Sequence, residues 1–184
     1  MSGTHPAIVI REAATKQDFA VFAALIGEYV EWCVSQCGND EVLVREVFGS
    51  QMVGREMADP KAYYGRPHGC VFLAEAGGAF AGCGAYRALD ATRCEMKRLF
   101  VRAAWRGSGT GRRLCQEIIA SARRDGYRAI CLDTMDWMAG ARTLYRSLGF
   151  HARPPYREYP AAIADRLRFI ELPLVVELSS NPRQ

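Results

Sequence analysis

Hydrophobic residues recur along the chain at spacings that predict alternating strands and helices. In the second half, two neighbouring rows of apolar residues repeat every four positions and form a helix face about 100° wide, which Gly126 would end. The apolar run that closes residues 95–101 is typical of a buried strand, although periodicity alone also allows the end of a helix there. The two helix rows are Leu114, Ile118 and Ala122, and Cys115 and Ile119.

Shorter elements of the same two kinds fill the rest of the chain. Thr15 has the position of a helix cap, Gly77-Gly78 that of a hairpin turn, and Asp59-Pro60 that of a helix end. The predicted elements are a strand over 8–10, a helix from 15 to a break at 38–40, a helix over 41–57, a hairpin of 70–76 and 79–87, a strand over 128–133, a helix over 137–148 and two closing strands.

Length and composition bound the class of protein. The 184 residues, 49% of them hydrophobic, suffice for one sizeable core and one domain. No apolar run approaches the ~20 residues of a membrane helix, and residues 1–10 lack the charged start and apolar centre of a signal peptide. We therefore expect a soluble cytoplasmic protein without a membrane partner.

The cysteines indicate neither a metal site nor a disulfide framework. Seven of them are scattered without a Cys-x-x-Cys motif, and only three histidines are present to help bind a metal. They are typical of small buried residues in a reducing compartment. Only Cys33 and Cys37 would share one helix face, and no further ligand is near them.

The net charge of +4 is distributed unevenly. Residues 93–128 hold ten Arg or Lys against three acidic residues, whereas residues 11–59 hold nine acidic residues against four basic ones. A nucleic-acid binder has such a basic block, but interleaved aromatic residues are missing, and a multiply phosphorylated small ligand explains the charge better. The acidic third suggests a cationic acceptor drawn in by Glu28, Glu31, Glu41 and Glu46.

The glycine-rich segment from Arg106 to Gly111 stands between the strand-like run and the amphipathic helix. Glycines allow close approach of a ligand to the backbone, and the first N-H groups of a helix favour phosphate oxygens. The known nucleotide motifs fail, because Arg112 stands where a dinucleotide fingerprint or a P-loop needs glycine. For the glycines alone, a plain connection between strand and helix is an equally good explanation.

With its flanks, this segment resembles motif A of the GNAT family of N-acetyltransferases, Gln/Arg-x-x-Gly-x-Gly/Ala. Arg106, Gly109 and Gly111 fill the fixed places, and Ala141-Arg-Thr-Leu-Tyr145-Arg-Ser-Leu-Gly149-Phe150 looks like motif B. The resemblance extends to final strands at 154–156 and 169–172. It covers residues 8–178 as a single N-acetyltransferase domain, which leaves 1–7 and 179–184 as loose termini.

The resemblance implies an α/β (α+β) fold with a mixed, mostly antiparallel sheet and helices on both faces. It also implies direct transfer of acetyl from acetyl-CoA to an amine of a small molecule or peptide, without a metal. The arm of the cofactor would contact the backbone of Leu99, Phe100 and Val101 between splayed strands. Its pyrophosphate would be held by the amides of Gly107, Ser108, Gly109, Thr110, Gly111 and Arg112, with charge from Arg106 and from Arg112 or Arg113.

Two catalytic residues follow from the same resemblance. Glu95 stands eleven residues before Arg106 and would be the general base, directly or through water. The alternative is a strand glutamate paired with Lys97 or Arg93. Tyr145 would donate to the leaving sulfur, and its alternative is a core aromatic residue.

Other expectations remain open. Met138 stands where many relatives carry a cofactor-binding asparagine, which puts cofactor affinity in doubt. Tyr63-Tyr64-Gly65-Arg66-Pro67 and Pro154-Pro155-Tyr156 would form walls of the acceptor site, as similar loops do in relatives. Homodimers are frequent in the family. The alternative function is a catalytically weak acyl-CoA sensor or interaction module of the same fold, and nucleic-acid binding is the less favoured rival.

Overall fold

A seven-stranded sheet forms the centre of the computed structural model, which describes residues 6–36, 38, 41, 42, 45, 48, 52–159 and 161–175. The strand order is β1-β2-β3-β4-β5-β7-β6, and every neighbouring pair is antiparallel except β4 and β5. The expected mixed, mostly antiparallel sheet is confirmed. Its strands are Ile8–Glu12 (β1), Gly69–Ala76 (β2), Ala79–Ala88 (β3), Arg93–Val101 (β4), Ala129–Met135 (β5), His151–Ala152 (β6) and Leu167–Pro173 (β7).

Helices cover both faces of the sheet, as expected. The long helix α4 packs on one face of β1 to β4, and α1, α2 and α3 pack on the other. None of the helices in the described ranges combines the length and apolar character needed to cross a bilayer. The helices are Lys16–Gln36 (α1), Met52–Ala58 (α2), Pro60–Tyr64 (α3), Thr110–Arg124 (α4), Ala139–Ser147 (α5) and Ala161–Ala164 (α6), and a 3-10 turn spans Ala103–Trp105.

One predicted boundary is confirmed and one predicted strand is absent. The helix expected to end at Asp59-Pro60 ends at Ala58. A further, unpredicted helix begins there, because the Asp59 carboxylate accepts from the Ala62 N-H at 2.9 Å and Pro60 occupies the first helical position. Residues 154–156 form no strand, since two prolines there lack N-H groups, and β6 is limited to His151–Ala152. Much of the predicted helix over 41–57, together with Asn39 and Asp40, lies outside the described residues.

The predicted cap of α1 is confirmed. The Thr15 hydroxyl accepts from the Asp18 N-H at 3.1 Å, and the Asp18 carboxylate accepts in return from the Thr15 N-H at 2.9 Å and the Ala14 N-H at 3.0 Å. Arg11 donates to the same carboxylate at 2.7 Å. These bonds fix the start of the helix whose later turns carry Tyr29 and Trp32 to the wall of the central cavity.

Strand β4 contains a bulge that changes which side chains share a face. Cys83 pairs with Phe100 and Ala85 pairs with Lys97, so two steps along β3 face three along β4. The extra residue is Arg98. Its backbone φ is +58°, which lies in the left-handed region that residues other than glycine rarely adopt. As a result Arg98 follows Lys97 on the same face of the sheet.

We predict that Asp18→Ala destabilises the protein by about 0.5–2 kcal/mol, because the N-H groups of Ala14 and Thr15 lose their acceptor at the start of the helix and Arg11 retains only Glu75 as a carboxylate partner. The bond from Arg11 lowers the pKa of Asp18 below its ordinary 3.8, burial opposes this, and the backbone bonds lower it further. The contribution of the carboxylate is therefore complete above the unfolded pKa and is lost as the pH falls through the folded pKa. Urea unfolding at about pH 6 and about pH 3 checks this, and a difference between wild type and variant that does not shrink in acid would contradict it.

Candidate active site

The cavity begins where β4 and β5 separate. Their parallel pairing covers three pairs only and ends at Glu95 and Cys131, so in the described part of the chain no strand pairs with β4 on this side beyond Glu95. A cavity of about 680 Å³ fills the space between them. Its lining includes β4 from Glu95 to Val101, the glycine segment, the end of β5 and the start of α5. All the predicted site residues except Ser108 line this one cavity.

The glycine segment presents an uncapped helix start to the cavity. Gly107 and Gly109 have φ of +78° and +84°, and a Cβ atom on either would meet no atom within 4 Å. No side chain of the described residues caps the N-terminus of α4. Its first N-H groups are therefore free for an anionic ligand, which fits the pyrophosphate of acetyl-CoA.

Two hydroxyl groups hold the segment in shape. Ser108 Oγ donates to the Trp105 carbonyl at 2.6 Å and accepts from the Thr110 hydroxyl at 2.6 Å. Thr110 is buried at the start of α4 and lines the cavity, whereas Ser108 is exposed. The role of the Ser108 side chain visible here is to fix the backbone from Trp105 to Thr110.

The three arginines of this segment differ in their contacts. Arg106 lies over the Trp32 ring, 4.5 Å from its centre, and donates to the Val101 carbonyl at 3.0 Å. Arg112 donates to Ser147 of α5 at 2.7 Å, and both arginines line the cavity. Arg113 instead donates to the Ile8 carbonyl at 2.7 Å and does not line the cavity.

The backbone of Leu99, Phe100 and Val101 follows the open side of β4. All three residues line the cavity, and the Phe100 ring packs against Tyr29 at 5.8 Å between ring centres. The Val101 carbonyl already accepts from Arg106, so in this state that group is not free for a ligand. The unpaired side of the strand nevertheless offers a second backbone surface besides the glycine segment.

Tyr145 approaches the cavity from α5. It is 7% exposed, packs against Phe150 at 5.6 Å and lines the cavity. Its hydroxyl makes no hydrogen bond with the described residues. Burial, with smaller contributions from Cys115 and Asp133, raises the pKa of Tyr145 above its ordinary 10.0, so the hydroxyl keeps its proton at neutral pH and can donate it.

Glu95 is 1% exposed and is surrounded by cations. Its Oε1 accepts from Arg157 and, at 3.1 Å, from Tyr156, while Lys97 lies 3.7 Å away. Arg87 lies 3.4 Å from Oε2. Burial raises the pKa of Glu95, but the charges of Lys97, Arg157 and Arg87 outweigh burial and hold that pKa below its ordinary 4.5. The carboxylate is ionised at neutral pH, and Oε2, with one long contact, retains capacity to accept a proton.

Sequence reasoning missed most of the groups around Glu95. The bulge places Arg98 against the buried Glu56, 2.7 Å from its Oε2. Asp133 lines the cavity from the end of β5 and accepts from Tyr159 at 2.8 Å and Tyr156 at 3.4 Å. A carboxylate directly after the apolar residues of a predicted strand was the one local signal for Asp133.

The expected acceptor walls are only partly present. Tyr64 is fully buried with its hydroxyl on Glu56, and Arg66 pairs with Glu12 and Asp125 elsewhere. No residue from 63 to 67 lines the cavity. Tyr156, by contrast, reaches Glu95 as described.

The expectation of a cationic acceptor is also weakened, because the described acidic residues on which it rests are paired with arginines. Glu28 accepts two hydrogen bonds from Arg102, at 2.6 and 2.8 Å. Glu31 and Glu41 both pair with Arg45, and Glu46 lies outside the described residues. The acidic charges of the N-terminal third are therefore largely neutralised by neighbours.

Three expectations remain: the effect of Met138 on cofactor binding, the pairing of Cys33 with Cys37, and the absence of a metal site. Met138 lines the cavity and its sulfur accepts from Thr134 at 3.5 Å, so no amide is available there. Cys33 is buried and forms no disulfide with another described residue, and Cys37 lies outside the described residues. Among the described residues, no three His, Cys, Asp or Glu side chains lie together as metal ligands would.

A profile of the GNAT acetyltransferase family matches residues 39–150, more than half of the chain. The chain belongs to this family. An uncharacterised N-acetyltransferase of Schizosaccharomyces pombe is 36% identical over 155 residues, which cover 83% of this chain and 88% of the yeast protein. The GNAT protein is thus an N-acetyltransferase that uses acetyl-CoA.

Solved structures share the fold at low identity. YncA of Salmonella typhimurium, solved with its cofactor acetyl-CoA, has a TM-score of 0.64 at 18% identity over 96% of this chain and 99% of its own. The PaiA N-acetyltransferase of Thermoplasma acidophilum, solved with coenzyme A, has a TM-score of 0.65 at 15% identity over 91% and 99%.

We predict that Gly109→Val abolishes stabilisation by acetyl-CoA. Gly126→Val is the matched control, because Gly126 has φ of +85°, equally open space around its Cβ position and a place at the other end of α4. Both variants should lose roughly 1–2 kcal/mol from backbone strain. At a hundredfold excess over Kd, acetyl-CoA should stabilise wild type and Gly126→Val by about 2.7 kcal/mol and Gly109→Val far less. Thermal unfolding measures this, and equal ligand shifts in both variants would place the cofactor elsewhere.

Proposed function

We propose that the protein transfers acetyl directly from acetyl-CoA to a primary amine of a small molecule or peptide. The observation that carries the proposal is a single cavity lined by the uncapped start of α4, the free hydroxyl of Tyr145 and the ionised carboxylate of Glu95. Acetyl-CoA supplies the acetyl group as a thioester. The residues of the chain bind, orient and move protons around it.

The acceptor amine must lose a proton before it can attack. With a lysine-like pKa near ~10.4 it is neutral about once in a thousand molecules at about pH 7.4, a penalty near ~4 kcal/mol. Glu95 is buried, ionised and accessible from the cavity, which supports its role as the base, directly or through water. Because its pKa is low, Glu95 would pass the proton on to solvent and not retain it.

A proton donor would help the sulfur to leave. A thiol has a pKa near ~8.5, so protonation of the sulfur helps without being obligatory at neutral pH. Tyr145 has a protonated, unengaged hydroxyl that lines the cavity, which supports its role as that donor. Arg106 and Arg112 would contribute positive charge near the phosphates of the cofactor.

The rival functions have less support. An acyl-CoA sensor needs the glycine segment to bind its ligand. It does not need a buried carboxylate and an unbonded tyrosine hydroxyl in the same cavity, whereas acetyl transfer does. Nucleic-acid binding needs accessible charge, yet Arg93, Arg102 and Arg113 of the basic block are bonded to Asp90, Glu28 and the Ile8 carbonyl. Acetyl transfer to an amine therefore accounts for more of the side chains.

We predict that Glu95→Gln lowers kcat/KM by roughly 10² to 10⁴ at neutral pH, because the base is lost while the shape is kept. The rate of the variant should rise with pH toward the pKa of the acceptor amine, since only the free amine reacts. The wild-type rate should rise less steeply, since its carboxylate is ionised well below neutrality. The pH profile of kcat/KM is the measurement.

Glu171→Gln is the matched control for that variant. Glu171 is also a strand glutamate paired with an arginine, Arg153 at 2.7 Å, but it does not line the cavity. Its profile should follow wild type. Parallel wild-type and Glu95→Gln profiles between about pH 6 and 9 would mean that Glu95 is not the base.

We predict that Tyr145→Phe lowers kcat about tenfold and leaves the affinity for acetyl-CoA unchanged, because one proton donor is removed and no phosphate contact is lost. Tyr127→Phe is the control. Tyr127 also packs edge-on against an aromatic ring, Tyr86 at 6.1 Å, and lies outside the cavity. Steady-state kinetics with a direct binding measurement separates the two effects, and an equal kcat in both variants would exclude Tyr145 as donor.

A further inference from the structure

Seven charged side chains are linked at the Glu95 end of the cavity, and their charges do not balance. The carboxylates are Glu56, Glu95 and Asp133, and the cations are Arg87, Lys97, Arg98 and Arg157. Lys97 and Arg98 are each 8% exposed, whereas Arg157 and Arg87 are 19% and 28% exposed. Because a buried charge without a partner is costly, an excess of one cation in this group requires an explanation.

Three of the four cations have close partners. Arg98 is paired with Glu56 at 2.7 Å, Arg157 donates to Glu95 Oε1, and Arg87 lies over the Tyr63 ring at 4.7 Å with Glu95 at 3.4 Å. Asp133, the third carboxylate, accepts hydrogen bonds from the neutral Tyr156 and Tyr159, so the cation left without a close carboxylate among the described residues is Lys97.

Lys97 is buried, lines the cavity and is poorly paired. Its side chain is 8% exposed, and its closest carboxylate oxygen among the described residues is Glu95 Oε1 at 3.7 Å, which is beyond hydrogen-bond distance. Glu95 Oε1 also already accepts from Arg157 and Tyr156. Burial, followed by the nearby Arg98 charge, lowers the pKa of Lys97, as expected for an ammonium group without sufficient counter-charge.

We propose that the acceptor carries a carboxylate next to its amine, as amino acids do, and that Lys97 binds this carboxylate. This inference rests on the proposed acetyl transfer. With its amine in the neutral form that reacts, such an acceptor carries one negative charge, which balances four cations against four anions. A phosphate carries about −1.5 to −2 and would exceed the balance, and an acceptor with a second ammonium would increase the excess of positive charge.

The positions of Lys97 and Glu95 also fit such an acceptor. The two residues are two apart on β4 and share one face, with Lys97 Nζ 3.7 Å from Glu95 Oε1. In an α-amino acid the amine and the carboxyl group are attached to the same carbon. A carboxylate held by Lys97 therefore brings the amine close to the base proposed for it.

The test compares amino acids with their own carboxamides as acceptors. Alanine, leucine, methionine, phenylalanine and aspartate are each paired with the α-carboxamide, which removes the charge and keeps the shape. The amine of a carboxamide is less basic and more often neutral, so its intrinsic chemistry is favoured. A preference for the acid must then come from binding. We expect at least one acid to exceed its carboxamide roughly 10- to 100-fold in kcat/KM.

Lys97→Met should bring that ratio close to one, because methionine has a similar length and no charge. Lys16→Met removes an exposed lysine at the start of α1 and should keep the wild-type ratio. If Lys97→Met does not fold, the wild-type ratios alone decide. Carboxamides acetylated as well as acids, or a ratio that Lys97→Met leaves unchanged, would overturn the proposal.

Failure of the proposed function is distinguishable. If acetyl-CoA stabilises the protein but no acid in the panel is acetylated, the carboxylate proposal is overturned while cofactor binding stands. If acetyl-CoA neither binds nor is consumed with any acid, carboxamide or simple amine, the proposed function fails and this inference fails with it.

Discussion

The parallel pairing between β4 and β5 stops at Glu95 and Cys131, and the arrangement of the site depends on that stop. Were the pairing continued, the backbone of β4 would be satisfied by β5 and no cavity would separate the two strands. Its early end leaves the backbone from Met96 to Val101 facing an opening of about 680 Å³. Because α4 begins directly after this strand and the following segment, its uncapped N-terminus meets the same opening.

The two ends of the cavity use different physical means to bind charge. At the glycine segment the donors proposed for an anion are backbone N-H groups, which would bind it without burying a charged side chain. At the Glu95 end, three carboxylates neutralise four cations only in part, and the arrangement has a cost. Glu56 accepts from Tyr64 and Arg98 through Oε2, while its Oε1 is buried without a hydrogen-bond partner in the described part of the chain. On our proposal such an end selects ligands by charge, since each added charge changes the balance.

Local signals were enough to predict most of the described elements and the glycine segment, because glycine conformation, capping and apolar spacing act over a few residues. The turn at Gly77-Gly78, the cap at Thr15 and the stop at Gly126 are examples. The charges around the site escaped prediction since they depend on contacts distant in sequence, such as Arg157 with Glu95, 62 residues apart. The bulge was equally hidden: strict alternation along β4 would put Arg98 on the opposite face from Lys97. Glu95, Tyr145 and the segment from Arg106 to Arg112 were placed in the sequence by resemblance, and their roles remain predictions.

Amide hydrogen exchange with and without acetyl-CoA tests the central claim most directly, namely that the cofactor lies in the opening between β4 and β5 with its phosphates at the start of α4. Acetyl-CoA should slow exchange in peptides covering Leu99–Val101 and Gly107–Arg112, because both backbone surfaces gain hydrogen-bond partners. Peptides covering β1 and the C-terminal half of α4 should show unchanged exchange. Protection confined to other parts of the chain, or no protection at saturating acetyl-CoA, would contradict the account.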